Sequence, residues 1–574
     1  MSILIHFENG VCKKAELLYE RTTPSPTYYC ANQKTFCVGE VFDRTFEDVA
    51  ASGWEENPDI LNDYQGAFAL AKINEGGCVF AVDMNGIDTF FYYINKQEFL
   101  LSDNFWDMVK IIQPEYDDLN VERIKQSLLC PSVSGETVIR GLYILRPSHI
   151  GLYDSKKQIL KVTKYRKFSY SNEISDVDLA VKNMDRILDN AFSSIKEKCG
   201  DVQFGVGISG GLDSRVIPHY AKKHGMRIVG FNICVPKPHK LMLARGCKNA
   251  RQLIKIFRMP YREVKWNPYT IKNKIMAKTR NYPHGTGGNS FKYESDGMPQ
   301  FSVLLTGGSG EIVGSELPKG IQFLSETELF EKMKIEFMPD LTLSNTSNKL
   351  SRALDYLFGT KVNFRRTRRS VVFNMLGQAE WNEAEKVLSD FIREGKKDGK
   401  TNIDIYEDFF LNVCGYANRY GAFESLLGTK RAFSIYIPFM LKETLRWAPG
   451  LLEDRLVLNE LIRRKIPEVA SVRSESFYVS PQERNPSKIK KMITLAEYVL
   501  RGNGGAIDQY YMKNAKVWKL FMDDMMNDCI WFKEIFNFTS MPLYLKEEPP
   551  RTIVNLWELK SLIDCIEKKD YMTF

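Results

Sequence analysis

Six residues, Ser209-Gly210-Gly211-Leu212-Asp213-Ser214, combine types and a spacing that suit the binding of a phosphate chain. Two adjacent glycines let the main chain approach a ligand closely and turn consecutive N–H groups toward one anion. A helix that starts behind such a turn adds its unpaired N–H groups and the positive end of its dipole at the same point. Ser209 and Ser214 offer hydroxyl donors, and Asp213 on an otherwise anionic site implies a cation such as Mg²⁺ between it and the phosphates. The spacing is neither that of the P-loop, which needs a Lys-Ser/Thr pair after its last glycine, nor that of the dinucleotide-binding turn. The plainer alternative is a strand–turn–helix whose serine only caps the helix.

Such a loop needs a strand before it and a helix after it. Phe204 to Ile208 is a short apolar run, and Val216, Ile217 and Tyr220 continue beyond the turn at helical spacing. Strand 227–232, helix 243–257 and strand 261–264 complete a βαβαβ pattern, so a parallel sheet with its ligand at the carboxyl ends of the strands is expected, with Ile208 and Asn232 near the base of a nucleotide. A further apolar run, 301–305, leads into Thr306-Gly307-Gly308-Ser309-Gly310-Glu311. Upstream, from about Asp176, an amphipathic helix is expected to place Leu179, Val181, Met184, Ile187 and Leu188 on one face. The first part of the chain reads as short strands at 2–7, 36–41, 67–73, 78–82, 90–94 and 99–102, broken by turn residues, which suggests packed antiparallel sheets. Beyond about Lys488 the pattern is helical and rich in Met, Trp and Phe; it is expected to pack on the parallel-sheet part, with an arm for a partner as the alternative.

Composition sets the bounds. A chain of 574 residues is long for one domain, and 44% hydrophobic with 26% charged residues is ordinary for a folded globular protein. The net charge of +8 is spread among interspersed acids, so no nucleic-acid partner is implied. No apolar run reaches membrane-spanning length and the first residues lack a leader pattern, so no membrane contact and a cytoplasmic location are expected. The 11 cysteines show no C-x-x-C pair, so neither a disulfide framework nor structural zinc is expected.

The loop 209–214 resembles the S-G-G-x-D-S pyrophosphatase loop of enzymes that split ATP, transfer AMP and release pyrophosphate. Ahead of it, Leu61-Asn-Asp-Tyr-Gln-Gly-Ala-Phe-Ala-Leu70, the run Val82 to Tyr93 and Leu101-Ser-Asp-Asn-Phe105 are similar, in this order, to segments of the N-terminal glutaminase domain of asparagine synthetases. Residues 138–153 resemble the family's connection between domains, and Tyr436-Ile-Pro-Phe-Met-Leu-Lys-Glu443 resembles a segment of its synthetase domain. The resemblance implies an α/β and α+β chain of three parts. These are an N-terminal-nucleophile-type (Ntn) antiparallel sandwich at 1–170, an ATP-pyrophosphatase domain at 171–485 and a helical extension at 486–574.

Departures from the family are specific. Members that hydrolyse glutamine carry Cys where this chain has Ser2, and the arginine that opens the second segment is replaced by Val82. The first domain is therefore expected to be a retained scaffold, with glutamine not the nitrogen donor. In the second nucleotide loop, which here carries Gly307 and Gly308, the family's acidic metal ligand is absent and Glu311 stands beside its place, as a ligand or as an acid in a first helical turn. The family's lysine, which neutralises charge at the α-phosphate, is replaced by Ser474, with Arg473 beside it as the substitute cation. Glu424 matches loosely the base that receives a proton from the incoming amine, or is a salt-bridged helix acid. The stretch 281–290 lines an acceptor pocket or is a surface loop, and the arginines of 364–369 hold an acidic ligand or form a solvated face.

The resemblance thus implies an amide synthetase using ATP and Mg²⁺, similar to asparagine synthetase-like enzymes of lasso-peptide, β-lactam and surface-glycan gene clusters. It would join a substrate carboxylate to ammonia or a substrate amine. A glutamine-dependent amidotransferase and a silent nucleotide-binding scaffold are the competing readings. A homodimer or a biosynthetic partner protein stays open.

Overall fold

The computed structural model describes residues 2–18, 27–84, 86, 88–130, 132–166, 169–234, 243–265, 299–307, 310–313, 320–337, 376, 378–410, 432–473, 481–482, 529–536 and 550–570. Two antiparallel sheets come first. One contains β1 (Ser2–Glu8), β2 (Val11–Leu18), β7 (Phe91–Ile94), β8 (Glu98–Ser102) and β9 (Leu142–Ile144) in the order β2-β1-β8-β7-β9. The other contains β3 (Thr27–Cys30), β4 (Thr35–Val41), β5 (Gly66–Asn74), β6 (Gly77–Val82), β10 (His149–Asp154) and β11 (Ile159–Lys164) in the order β11-β10-β6-β5-β4-β3.

Alternation along the strands explains the layering. Ile3, Ile5 and Phe7 of β1 meet Val38, Ala69, Ala71 and Phe80 in the core between the sheets. Cys37, Phe68, Leu70, Val79 and Ala81, which point the other way, are covered by Val49, Trp54 and Leu61. With both faces buried, β4 to β6 read as almost continuous apolar runs.

Two parts of this region were not anticipated. β2 is an exposed edge strand whose Lys13, Lys14 and Glu16 hide it from a search for alternation, although the Asn9-Gly10 turn, at φ 50° and 75°, is a strong hairpin signal. β3 is a short, half-exposed edge strand. The run 138–153, inside the stretch 1–170 expected to form the sandwich, supplies β9 and β10.

The second half is built on a parallel sheet of β12 (Gln203–Gly207), β13 (Arg227–Cys234), β14 (Tyr261–Lys265), β15 (Val303–Thr306) and β16 (Ala432–Ser434), in the order β14-β13-β12-β15-β16. The chain steps outward from β12 on one side, then returns to the other side of β12 for β15. The carboxyl ends of β12 and β15 therefore flank the point where the strand order reverses, which is where open parallel sheets leave a crevice for a ligand.

The helix Val177–Cys199 lies before β12 and buries Ala180, Val181, Met184, Ile187, Leu188, Ala191, Phe192 and Ile195. Leu179, expected on that face, is 46% exposed, because five residues at about 100° each set it well off the line of Met184.

Aromatic and ionic contacts join the halves. Phe42 packs on Phe433 and Phe439 with ring centroids 5.4 and 4.8 Å apart, and Lys164 Nζ lies 3.0 Å from both carboxylate oxygens of the buried Asp408. Helices Ile530–Phe536 and Pro550–Glu567 are the described parts of the extension. Trp531 meets Tyr116 edge-on at 5.9 Å and Lys569 Nζ is 3.2 Å from Glu115 in the N-terminal half, and Phe532, Ile535 and Phe536 share a core cluster with Trp381 and Leu388 of the second half. Among the described residues, no helix is long and apolar enough to cross a membrane.

Candidate active site

β12 ends with the buried Phe204 and Val206, and Ile208 extends its pairing by donating its N–H to Phe231 O at 2.8 Å. The main chain then turns through 209–212 into the helix Asp213–Lys223. Ser209 is exposed, Gly210, Leu212 and Ser214 are buried, and Gly211 and Asp213 are intermediate, so one edge of the loop faces outward.

The two serines close the loop on itself. Ser209 N–H donates to Ser214 Oγ at 3.2 Å, Gly211 N–H donates to Ser209 Oγ at 3.0 Å, and the two hydroxyls lie 3.2 Å apart. The helix begins after Leu212, with no side-chain cap, so its opening N–H groups are not taken by a serine. A helix end without a side-chain cap suits an anion.

The second loop touches the first. A Cβ placed on Gly307, just after β15, would stand 2.9 Å from Asp213 Cβ and 3.1 Å from Asp213 C. A residue without a side chain is needed there because the two loops are in direct contact.

Asp213 is the acid common to both. Its Oδ2 accepts from Arg455 Nη1 at 2.6 Å, with side-chain exposures of 22% for Asp213 and 9% for Arg455. Its Oδ1 is buried and has no hydrogen-bond partner among the described residues. One carboxylate oxygen is thus neutralised and the other available, so the donor set fits a hard cation such as Mg²⁺. Arg455 sits at φ 53°, a left-handed conformation that a non-glycine residue holds only when its surroundings enforce it. The Tyr436 hydroxyl donates to Asp213 O at 3.3 Å. Burial pushes that hydroxyl well above its ordinary range, so it stays protonated as a donor.

Arg215 is fully buried, two residues into the helix. It donates from Nε to Gly211 O at 3.2 Å and from Nη2 to Gly210 O at 3.1 Å, and reaches the carbonyl groups of Val469, Val472 and Arg473. Burial alone pulls it from 12.5 to about 10, which leaves it charged at neutral pH.

The structure brings Ile208, Ser209, Gly210, Gly211, Leu212, Asp213, Ser214 and Gly307 together. Asn232 stands half-buried on β13, next to the Phe231 that pairs with Ile208. Arg473 has an exposed side chain, while its carbonyl is held by Arg215 and by Asn249 Nδ2 at 2.9 Å. Glu311 lies in the short turn Gly310–Val313, but its side chain falls outside the described residues, as do Gly308, Glu424, Ser474 and the stretches 281–290 and 364–369.

Arg455 and Asn249 were not singled out by sequence, and no local pattern marks them; Tyr436 opens the family-like segment 436–443 but had no role assigned to it. Arg215 had one available signal, a cation set directly against Val216 and Ile217 in a helix that must be buried.

At the other end of the chain, Ser2 is 0% exposed and its Oγ donates to Asp107 Oδ2 at 2.6 Å, while Ile3 N–H donates to Asp103 Oδ1 at 2.6 Å. Burial raises the Asp107 carboxyl, and the bond from Ser2 opposes that rise.

No protein-family model and no curated protein matches this chain. Among solved structures it is similar to an allosteric regulatory enzyme of purine biosynthesis, at 11% identity and TM-score 0.17 over 46% of this chain and 74% of that one. It is similar to glutamine phosphoribosylpyrophosphate amidotransferase from B. subtilis, at 11% identity and TM-score 0.16 over 54% and 69% of the two chains. A third likeness is to NMN synthetase from Francisella tularensis, at 13% identity and TM-score 0.15 over 43% and 94%. Likeness at this level carries no functional argument.

Proposed function

We propose that the protein is an ATP-dependent, AMP-forming carbon–nitrogen ligase acting in the cytoplasm. The observation that carries this reading is the meeting of the 209–214 loop with Gly307 at the reversal point of the parallel sheet, around an acid with one free, buried oxygen. The phosphate chain of ATP would lie along the outward edge of the loop, against its N–H groups and the uncapped helix end, with the base over Ile208 and Asn232.

A substrate carboxylate oxygen attacks the α-phosphorus, and the bond to the β-phosphate bridging oxygen breaks to release pyrophosphate. Ammonia or a substrate amine then attacks the activated carbonyl carbon, and AMP leaves with the bridging oxygen as the amide forms. Asp213, through Oδ1, with Glu311 from the second loop, would hold Mg²⁺, which when bound neutralises charge gathering on pyrophosphate, and Gly307 and Gly308 would bind the nucleotide. Arg455 keeps the other Asp213 oxygen occupied, and Arg473, next in sequence to the place of the family's lysine, is the proposed substitute cation. Glu424 is the proposed base for the amine.

The burial of Ser2 and the commitment of its hydroxyl to Asp107 support a nitrogen source other than glutamine. A second reading, a nucleotide-binding scaffold without turnover, is favoured by one fact: Asp213 already has a cation in Arg455. The test is pyrophosphate release from Mg·ATP with panels of carboxylates and amines, compared with Asp213→Asn. Acceptor-dependent release that falls about 100-fold or more in the variant supports the ligase. ATP binding with no release on any panel moves the assignment to the scaffold. Glutamate formation from glutamine, lost in Ser2→Ala, would restore the amidotransferase.

A further inference from the structure

A phosphate cradle has two sides. The N–H groups of its peptide planes face the ligand and the C=O groups face away, so whatever holds the C=O groups sets the aim of the N–H groups. In this loop the Gly210 C=O shares a peptide plane with the Gly211 N–H, and the Gly211 C=O shares one with the Leu212 N–H. Both carbonyl oxygens accept from Arg215, at 3.1 Å from Nη2 and 3.2 Å from Nε. The same guanidinium reaches Val469 O at 3.0 Å, Val472 O at 2.6 Å and Arg473 O at 2.7 Å. Five donors meet five main-chain acceptors, which is the full capacity of the group.

We propose that Arg215 is a positioning residue that braces the Gly210–Gly211 and Gly211–Leu212 peptide planes against the 469–473 segment, aiming the Leu212 N–H at a bound phosphate chain and holding the Gly211 N–H on Ser209 Oγ, whose hydroxyl then faces the same ligand. This rests on the phosphate-site reading given above. A planar fork of five fixed donors is needed, because two peptide planes and a separate segment must be held at once; a lysine ammonium has three donors and no plane. The charge also acts through the peptides, since a carbonyl that accepts from a cation makes the N–H on its own plane a stronger donor. Asn249 Nδ2, on the same Arg473 carbonyl at 2.9 Å, steadies the far end of the brace.

The brace predicts a split between the parts of the nucleotide. By calorimetry, Arg215→Lys should weaken ATP and inorganic pyrophosphate together by about tenfold, while adenosine binds as before. Asn249→Ala, which leaves Arg215 in place, should weaken pyrophosphate about threefold without changing adenosine, and it decides the matter if the Arg215 variant does not fold. Pyrophosphate affinity unchanged in the folded variant, or lost in equal measure with adenosine, overturns the brace alone. An unaltered chain that binds neither ATP nor pyrophosphate overturns the phosphate site and the brace with it.

Discussion

Arg455 Nη1 stands 2.6 Å from Asp213 Oδ2, and the pair is largely shielded from water. Breaking such a pair from one side leaves a charge with poor solvation, at a cost of about 3 kcal/mol. Arg455→Met should lower stability by about that amount in urea melts. The double variant with Asp213→Asn should recover part of the loss, and strictly additive losses would show that the two groups are not coupled.

Gly307→Ala tests the contact between the loops. A methyl group 2.9 Å from Asp213 Cβ forces the second loop away from the first, and ATP affinity should fall about tenfold or more. Gly450→Ala is the matching control, since nothing lies within 4 Å of a Cβ built there, and it should leave binding unchanged. Equal affinities in the two variants would show that the contact is incidental to the ligand.

His149 gives a signature in pH. Burial, helped by the neighbouring Arg146, lowers this imidazole from 6.5 to about 4, and its ring accepts from Arg146 Nη2 at 3.3 Å through Nε2 while Nδ1–H donates to Pro147 O at 2.8 Å. The folded state thus favours the neutral ring and the unfolded state takes up the proton first. The stabilising contribution is whole above about pH 6.5 and is lost as pH falls toward 4. Between pH 7.5 and 5 the loss should be about 1.5 kcal/mol, somewhat under full linkage because the ring is only half-buried. His149→Gln should lose that much less stability over the same interval in urea melts. An identical pH slope in the two proteins would discard the assignment.

What could be read from residues, and what could not, divides along one physical line. The glycine loop behind an apolar strand, the βαβαβ order and the two-faced strands of the sandwich follow from local spacing, and all are present. The pairing of Asp213 with Arg455 joins residues 242 apart, with no sequence feature to connect them. Three of the five acceptors of Arg215 are carbonyl oxygens of Val469, Val472 and Arg473, and a carbonyl leaves no trace in residue identity. β2 was hidden for the opposite reason: an edge strand open to water carries lysine and glutamate where a buried one would carry valine.

The bonds from Arg215 to Val469, Val472 and Arg473 cross separations of 254, 257 and 258 residues. During synthesis the glycine loop, its strand and its helix emerge long before the segment that steadies them exists. A nascent chain halted short of residue 469 would hold a buried guanidinium with only two of its five acceptors in place. Nucleotide affinity should therefore be acquired late and in one step, with the last part of the parallel-sheet half, rather than accumulate as each strand is added.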